Sequence, residues 1–146
     1  MKLTSTVFQN NAPIPSEYTC DGADLSPPLI ISDVPPNAKS LILIMDDPDA
    51  PVGNWDHWVV FNIPPSANQI QKGKEPDGAA GKNSWGKAGY GGPCPPSGTH
   101  RYFFKLYALD TELNLPEGSP KKDIEKEMQG HIVAKAELMG IYKRKQ

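Results

Sequence analysis

The chain holds only two cysteines and three histidines, and its formal net charge is -2. It has no apolar run near the roughly 18 residues of a membrane helix. Each shortage removes a class of function. Cys20 and Cys94 are too few for a disulfide scaffold and lack the CxxC spacing of a metal or redox centre. Near-neutral charge supplies no basic face for nucleic acid. There is no H-E-x-x-H zinc motif and no G-x-S-x-G nucleophile elbow. The first six residues have neither the apolar core nor the small-residue cleavage pattern of a secretory leader, so the expectation is a soluble, cytoplasmic protein without a transmembrane segment. In a reducing cytosol two free thiols are the simpler reading of the cysteines. Both lie in turns, however, and a bridge would close a long loop worth about 4 kcal/mol in the chain-entropy picture. The sequence leaves both states open.

What is present is a set of short apolar runs separated by rigid turns. The 16 prolines and 13 glycines sit between those runs rather than in one tract, which reads as turn chemistry rather than disorder. At 146 residues the chain fits one domain, large enough to bury roughly two thirds of its unfolded surface. Strands are predicted at 3–8, 29–31, 41–46, 57–63 and 102–109, with a turn at 10–16. The nearly unbroken run at 41–46 reads as a central strand covered on both faces. A polar, glycine-rich stretch at 66–92, carrying Lys72, Lys74, Lys82 and Lys87, reads as a long surface loop. One helix is predicted with Ser119 as its cap, Pro120 at its first position, and Ile124 and Met128 on one face. Gly130 ends it. Residues 132–138 alternate with period two, as a strand does, although their composition also suits a helix.

The ionisable residues cluster at the ends of these strands. Asp47-Pro48-Asp49-Ala50-Pro51 follows the central run. Trp55-Asp56-His57-Trp58 opens the next strand, and Gly98-Thr99-His100-Arg101-Tyr102 opens another. Rigid strand ends that present carboxylates and imidazoles are where sheet proteins build pockets. Each residue also has a plainer reading. Aspartates beside proline cap turns, a histidine at a strand start is commonly a hydrogen-bonded core residue, and strand aromatics are commonly core. Asp24, in a Gly-Ala-Asp-Leu-Ser turn, needs no function. Ser97 is a turn residue.

Joined in this order, the D-P-D-x-P, W-x-H and G-x-H-R-Y segments resemble the phosphatidylethanolamine-binding protein family, also called the Raf kinase inhibitor family, and most closely its short bacterial and archaeal branch. The resemblance runs from Tyr18-Thr19-Cys20-Asp21-Gly22 and Ser26-Pro27-Pro28-Leu29 to Ala136-Glu137-Leu138-Met139-Gly140-Ile141-Tyr142. It implies a mostly β, two-sheet sandwich over residues 1–146 with one or two short helices, and it favours the strand at 132–138. It implies a cavity formed by Asp47, His57 and His100, completed by Trp55, Tyr102 and the backbone of the loop from Gly92 and Pro93 to Pro96. Asp49 and Arg101 stand in support. Such cavities bind phosphate-like anions, including phospholipid head groups and phosphorylated side chains.

No catalytic residue, metal or cofactor is implied, so the expected role is a binding or regulatory module, with a kinase or a serine protease as candidate partner. Two alternatives remain. One is a serine protease inhibitor presenting residues 66–89 as an exposed loop. The other is a metal-dependent hydrolase using Asp47, His57 and His100. The short branch lacks a C-terminal extension, and a homodimer could cover the side of the cavity left open.

Overall fold

The computed structural model describes residues 1–144; the last two residues of the expected domain lie outside that range. The described residues follow the order β1 (Lys2–Thr4), β2 (Ala12–Pro13), β3 (Leu29–Ser32), β4 (Ser40–Asp47), β5 (Trp55–Ile63), β6 (Gln69–Ile70), β7 (Ala79–Ala80), β8 (His100–Leu109), α1 (Lys121–Met128) and β9 (Ile132–Tyr142). They form a six-stranded sheet ordered β2-β9-β8-β4-β5-β7 and a three-stranded sheet ordered β1-β3-β6.

The run at 40–47 has no polar face because β4 needs none. Every residue of β4 is buried. Its alternation sends Leu41, Leu43 and Met45 into the core between the sheets, with Trp58, Phe104 and Leu106. Ile42 and Ile44 face the other way, against Val59, Phe61 and the Ile124–Met128 stripe of α1. Burying each such side chain contributes about 1.5–3 kcal/mol, and the sum fixes the register of β4.

That register decides where the two terminal carboxylates go. Asp46 continues the helix side, where Lys105 Nζ donates to its Oδ2 at 3.0 Å and Lys121 Nζ lies at 3.7 Å. Lys121 also donates to Asp56 Oδ1 at 2.8 Å, which ties the first residue of α1 to β5. The Oδ1 atom of Asp46 is buried without a hydrogen-bond partner. Asp47 takes the opposite side.

Several elements differ from the sequence reading, each for a local reason. The opening strand stops at Thr4 because the Ser5 hydroxyl donates to Pro28 O and accepts the Val7 N–H, which turns the chain. Residues 10–16 are more than a turn, since Ala12 and Pro13 pair in parallel with β9. The stretch 66–92 is pinned rather than free. It carries β6 and β7, Gly81 N–H donates to Val59 O, and Glu75 accepts the Trp58 indole N–H at 2.8 Å. Ser119 does not cap α1. Its hydroxyl donates to Pro116 O, and Pro120 holds the cap position without a side-chain bond. β9 is a strand because it pairs with β8 along nearly its whole length, and that ladder outweighs its helical composition. Among the described residues no helix is long and apolar enough to cross a membrane.

The two cysteines are joined, with Cα atoms 5.4 Å apart, inside the usual range for a disulfide. The free-thiol reading therefore does not hold for this structure. The bridge spans 74 residues of chain. Reduction, or Cys20→Ser, is expected to cost about 4 kcal/mol and to lower the thermal midpoint by roughly 10 °C. Calorimetry with and without a phosphine reductant measures this directly, and coincident transitions would contradict the bridge.

Candidate functional site

Three neighbouring strands deliver the site. Asp47 ends β4, Trp55 and His57 belong to the start of β5, and His100 and Tyr102 to the start of β8. Simple alternation along β5 would separate His57 from Trp58. The ladder shows why it does not: Met45 pairs with Trp58 while the next residue, Asp46, pairs with Asp56. His57 is the extra residue of a β-bulge. The bulge re-phases the strand, so that Trp58 fills the core while His57 and Trp55 both reach the cavity.

The cavity measures about 350 Å³ and is lined by Asp47, Trp55, His57, His100 and Tyr102, together with Ala50, Pro51, Val52, Trp85, Cys94, Pro95 and Pro96. Of the loop 92–96, Cys94, Pro95 and Pro96 line it, whereas Gly92 and Pro93 do not. Arg101 stays outside as well. Its guanidinium is held by Asp49 through Nε at 2.9 Å and Nη2 at 2.8 Å, and its backbone N–H donates to the same carboxylate. Those bonds draw the Asp49 carboxyl down to about 2. The pair braces the loop that carries Ala50, Pro51 and Val52. Among the described residues no lysine or arginine lines the cavity.

The polar groups are individually oriented. His100 Nδ1 donates to Asp47 Oδ2 at 2.7 Å, and Asp47 Oδ1 accepts the Asp49 N–H at 2.7 Å. The turn-capping and pocket readings of Asp47 are thus both realised, one on each oxygen. His57 Nδ1 donates to Gly91 O at 2.7 Å. In both imidazoles Nε2 remains available to a ligand. Burial pushes His57 below the ordinary histidine value, with nearby carbonyl and carboxylate groups opposing. The Tyr102 hydroxyl is buried and makes no hydrogen bond of acceptable geometry. Burial, and then the Asp47 charge, hold it as a phenol far above the usual tyrosine range. The Asp47 carboxylate and the Cys94 backbone lie beside it without satisfying it by a well-aligned bond, which leaves the hydroxyl able to turn to an acceptor in the cavity.

Trp85 also lines the cavity, although no motif in the sequence marks it. Its indole meets Trp55 edge-on at 5.6 Å and His57 at 5.0 Å. Asn83 Oδ1 shapes its turn by accepting the N–H groups of Trp85 and Lys87. The available signal was an aromatic inside an otherwise polar, glycine-rich stretch. Trp58 is fully buried in the core, and Tyr90 packs against that core, partly buried, with its hydroxyl donating to Tyr18 O. Residues 66–89, considered above as a separate inhibitory loop, supply this wall of the cavity and are not structurally independent of it.

A second cavity of about 370 Å³ lies beside the first and shares Trp85 and Cys94 with it. Gly92 lines this one, its N–H donating to Asp24 Oδ1 at 2.9 Å.

Comparison with known proteins bears on the whole chain. The sequence profile of the family described as phosphatidylethanolamine-binding protein matches residues 4–143. A UPF0098 protein of Methanothermobacter thermautotrophicus is 52% identical over 150 residues, covering 99% of each chain. The crystal structure of a phosphatidylethanolamine-binding protein homologue from Chlamydia trachomatis superposes with a TM-score of 0.96 at 46% identity, covering 99% of this chain and 97% of that one. The E. coli protein YbcL, described as a new member of the mammalian family, superposes at 0.90 with 32% identity, covering 99% and 98%.

The depressed His57 sets a pH dependence of known sign. Its folded value lies below that of the unfolded chain, about 6.5, so between the two values the unfolded state binds more protons. The contribution to stability is present above about pH 6.5 and is lost as pH falls toward the folded value. Urea unfolding at pH 5 and pH 7.5 should show this loss in the wild type and a smaller one in His57→Gln. An NMR titration placing the His57 midpoint above 6.5 would contradict the assignment.

Proposed function

From the premise that the chain belongs to the phosphatidylethanolamine-binding protein family, we propose that it is a binding module whose cavity takes a phosphate-like anion in its singly protonated form. The observation that carries this reading is the buried Tyr102 hydroxyl, a donor without a well-aligned acceptor, held beside two oriented imidazoles. A phosphate monoester monoanion answers each group in turn. Its oxygens accept from Tyr102 and from His100 Nε2–H when that ring is protonated, while its own P–OH proton goes to the neutral Nε2 of His57. Each charge-assisted bond contributes about 1.5–3 kcal/mol.

Charge balance supports the monoanion over the dianion. The lining offers Asp47 and two imidazoles, and its nearest guanidinium, on Arg101, is already paired with Asp49. A dianion would face the Asp47 carboxylate without a fixed cation to offset it. The apolar part of the lining, chiefly Trp55, Pro51, Pro95 and Pro96, suits the carbon portion of an ester. A phospholipid head group and a phosphorylated side chain both present that chemistry. Regulation of a kinase or a protease would follow from entry of such a phosphorylated group. The proposed activity is binding rather than catalysis. The one thiol residue of the lining, Cys94, is closed in the disulfide.

Titration calorimetry with phenyl phosphate tests the reading. Wild-type affinity is expected to fall from pH 5.5 to pH 8, as the ester passes its second pKa of about 6. Asp47→Asn is expected to weaken binding, because it removes the charge that holds His100 Nδ1–H. Tyr102→Phe should cost about tenfold in affinity, the loss of one charge-assisted bond. That variant should leave stability unchanged or raise it, since it removes an unsatisfied buried hydroxyl. Tighter binding by Asp47→Asn at both pH values would overturn the monoanion assignment.

A further inference from the structure

One wall of the cavity hangs on a single tether. Cys94, Pro95 and Pro96 form that wall, and the next fixed backbone is β8, which begins at His100. Among the described residues, 94–99 make no well-aligned hydrogen bond, so the Cys20–Cys94 bridge is what ties this segment to the body of the protein. The flanking chain is held without sulfur. Gly92 N–H donates to Asp24 Oδ1 at 2.9 Å, and Cys20 N–H donates to Pro93 O at 3.1 Å. Residues 18–24 have an anchor of their own, since Asp21 accepts from the Tyr142 hydroxyl and from Arg144 Nε. Gly91 O, which orients His57, lies on the held side of Pro93. Opening the bridge would therefore free the wall and leave the imidazoles where they are.

The bridge is also open to attack. Both cysteines are exposed, Cys20 lines the second cavity and Cys94 lines both. Exposed disulfides are the ones that exchange readily with thiols. We propose that Cys20–Cys94 is a thiol–disulfide exchange site for a dithiol reductant, and that its redox state sets how tightly the cavity holds the carbon portion of its ligand. This regulation rests on the anion reading of the cavity. In the first step a thiolate of the reductant attacks Cys94 Sγ. The protein S–S bond breaks, and its electron pair leaves on Cys20 Sγ, which takes up a proton. The second thiolate of the reductant then attacks the reductant sulfur joined to Cys94. That mixed disulfide breaks, and Cys94 leaves as a thiolate and is protonated. The reductant departs as its own disulfide, and the protein has gained two electrons and two protons. In the reduced protein the wall must be ordered anew each time a ligand binds.

The test is calorimetry with phenyl phosphate and with inorganic phosphate, on the oxidised protein and on protein held in dithiothreitol. Reduction is expected to weaken phenyl phosphate about tenfold, the cost of ordering one residue of backbone on binding. Inorganic phosphate has no carbon portion and should change by no more than about twofold. By linkage, saturating phenyl phosphate should raise the dithiothreitol ratio needed for half-reduction about tenfold, read by alkylating free thiols and weighing the products. The double variant Cys20→Ser, Cys94→Ser should match the reduced wild type and ignore dithiothreitol; if it does not fold, the wild-type measurements decide alone. Thiols that can be alkylated only in urea would overturn the exchange site. Unfolding of the reduced protein at room temperature, or equal weakening of both probes, would overturn the gate. Equal phenyl phosphate affinity in the two states, still lowered by Tyr102→Phe, would overturn the gate and leave the anion reading standing. If phenyl phosphate binds neither state, or binds regardless of Tyr102→Phe, the anion reading has failed and the gate falls with it.

Discussion

The buried hydrogen bond between Asp47 and His100, 2.7 Å long, is the contact on which the rest of the site turns. It joins the last residue of β4 to the first of β8, and so sets both strand ends at one depth. It fixes which ring nitrogen of His100 carries a proton toward the carboxylate. It also places a negative charge against Tyr102, which keeps that phenol protonated and able to donate. A lone carboxylate buried at this position would be costly, and so would a lone imidazole; together they are tolerated because each satisfies the other.

Much of this was legible in the sequence because it follows from short-range rules. An apolar run without a polar face means a strand with two covered faces, and β4 is that strand. Strand ends with ionisable residues mean a pocket, and Asp47, His57, His100 and Tyr102 meet in one. What the sequence withheld depends on contacts across the chain. Asp49 and Arg101 read as supporting residues, but that they support the site by holding each other, through the whole guanidinium fork, is a contact across 52 residues that the sequence does not show. Ser119 read as a helix cap until a nearer carbonyl, Pro116 O, claimed its hydroxyl. Trp85 stands out as an aromatic in a polar stretch, but its place in the cavity depends on the bare backbone of Gly91 six residues later. The phase of β5 depends on a bulge that no alternation count reveals.

The glycine-proline segment at 91–96 serves the site less as a set of ligands than as a support. Gly91 O orients His57, Gly92 N–H anchors Asp24, and Cys94 to Pro96 form a wall. The segment is in turn held to residues 18–24 by the disulfide, by the Tyr90–Tyr18 bond at 2.6 Å and by Cys20 N–H donating to Pro93 O. Glycine at 92 is required by proximity, since a Cβ there would meet Tyr18 O and Thr19 Cα.

Those links between residues 18–24 and 90–94 bridge some seventy residues of chain, and the strand ends they support come from three separate stretches. Contacts so distant in sequence form only after the loops between them have closed, which is the slow part of assembling a β protein. The cavity therefore has no partial form along the folding route. A chain that has collapsed around β4 but has not yet closed this clamp would have a core and no site, so ligand capture would report the end of folding rather than its onset.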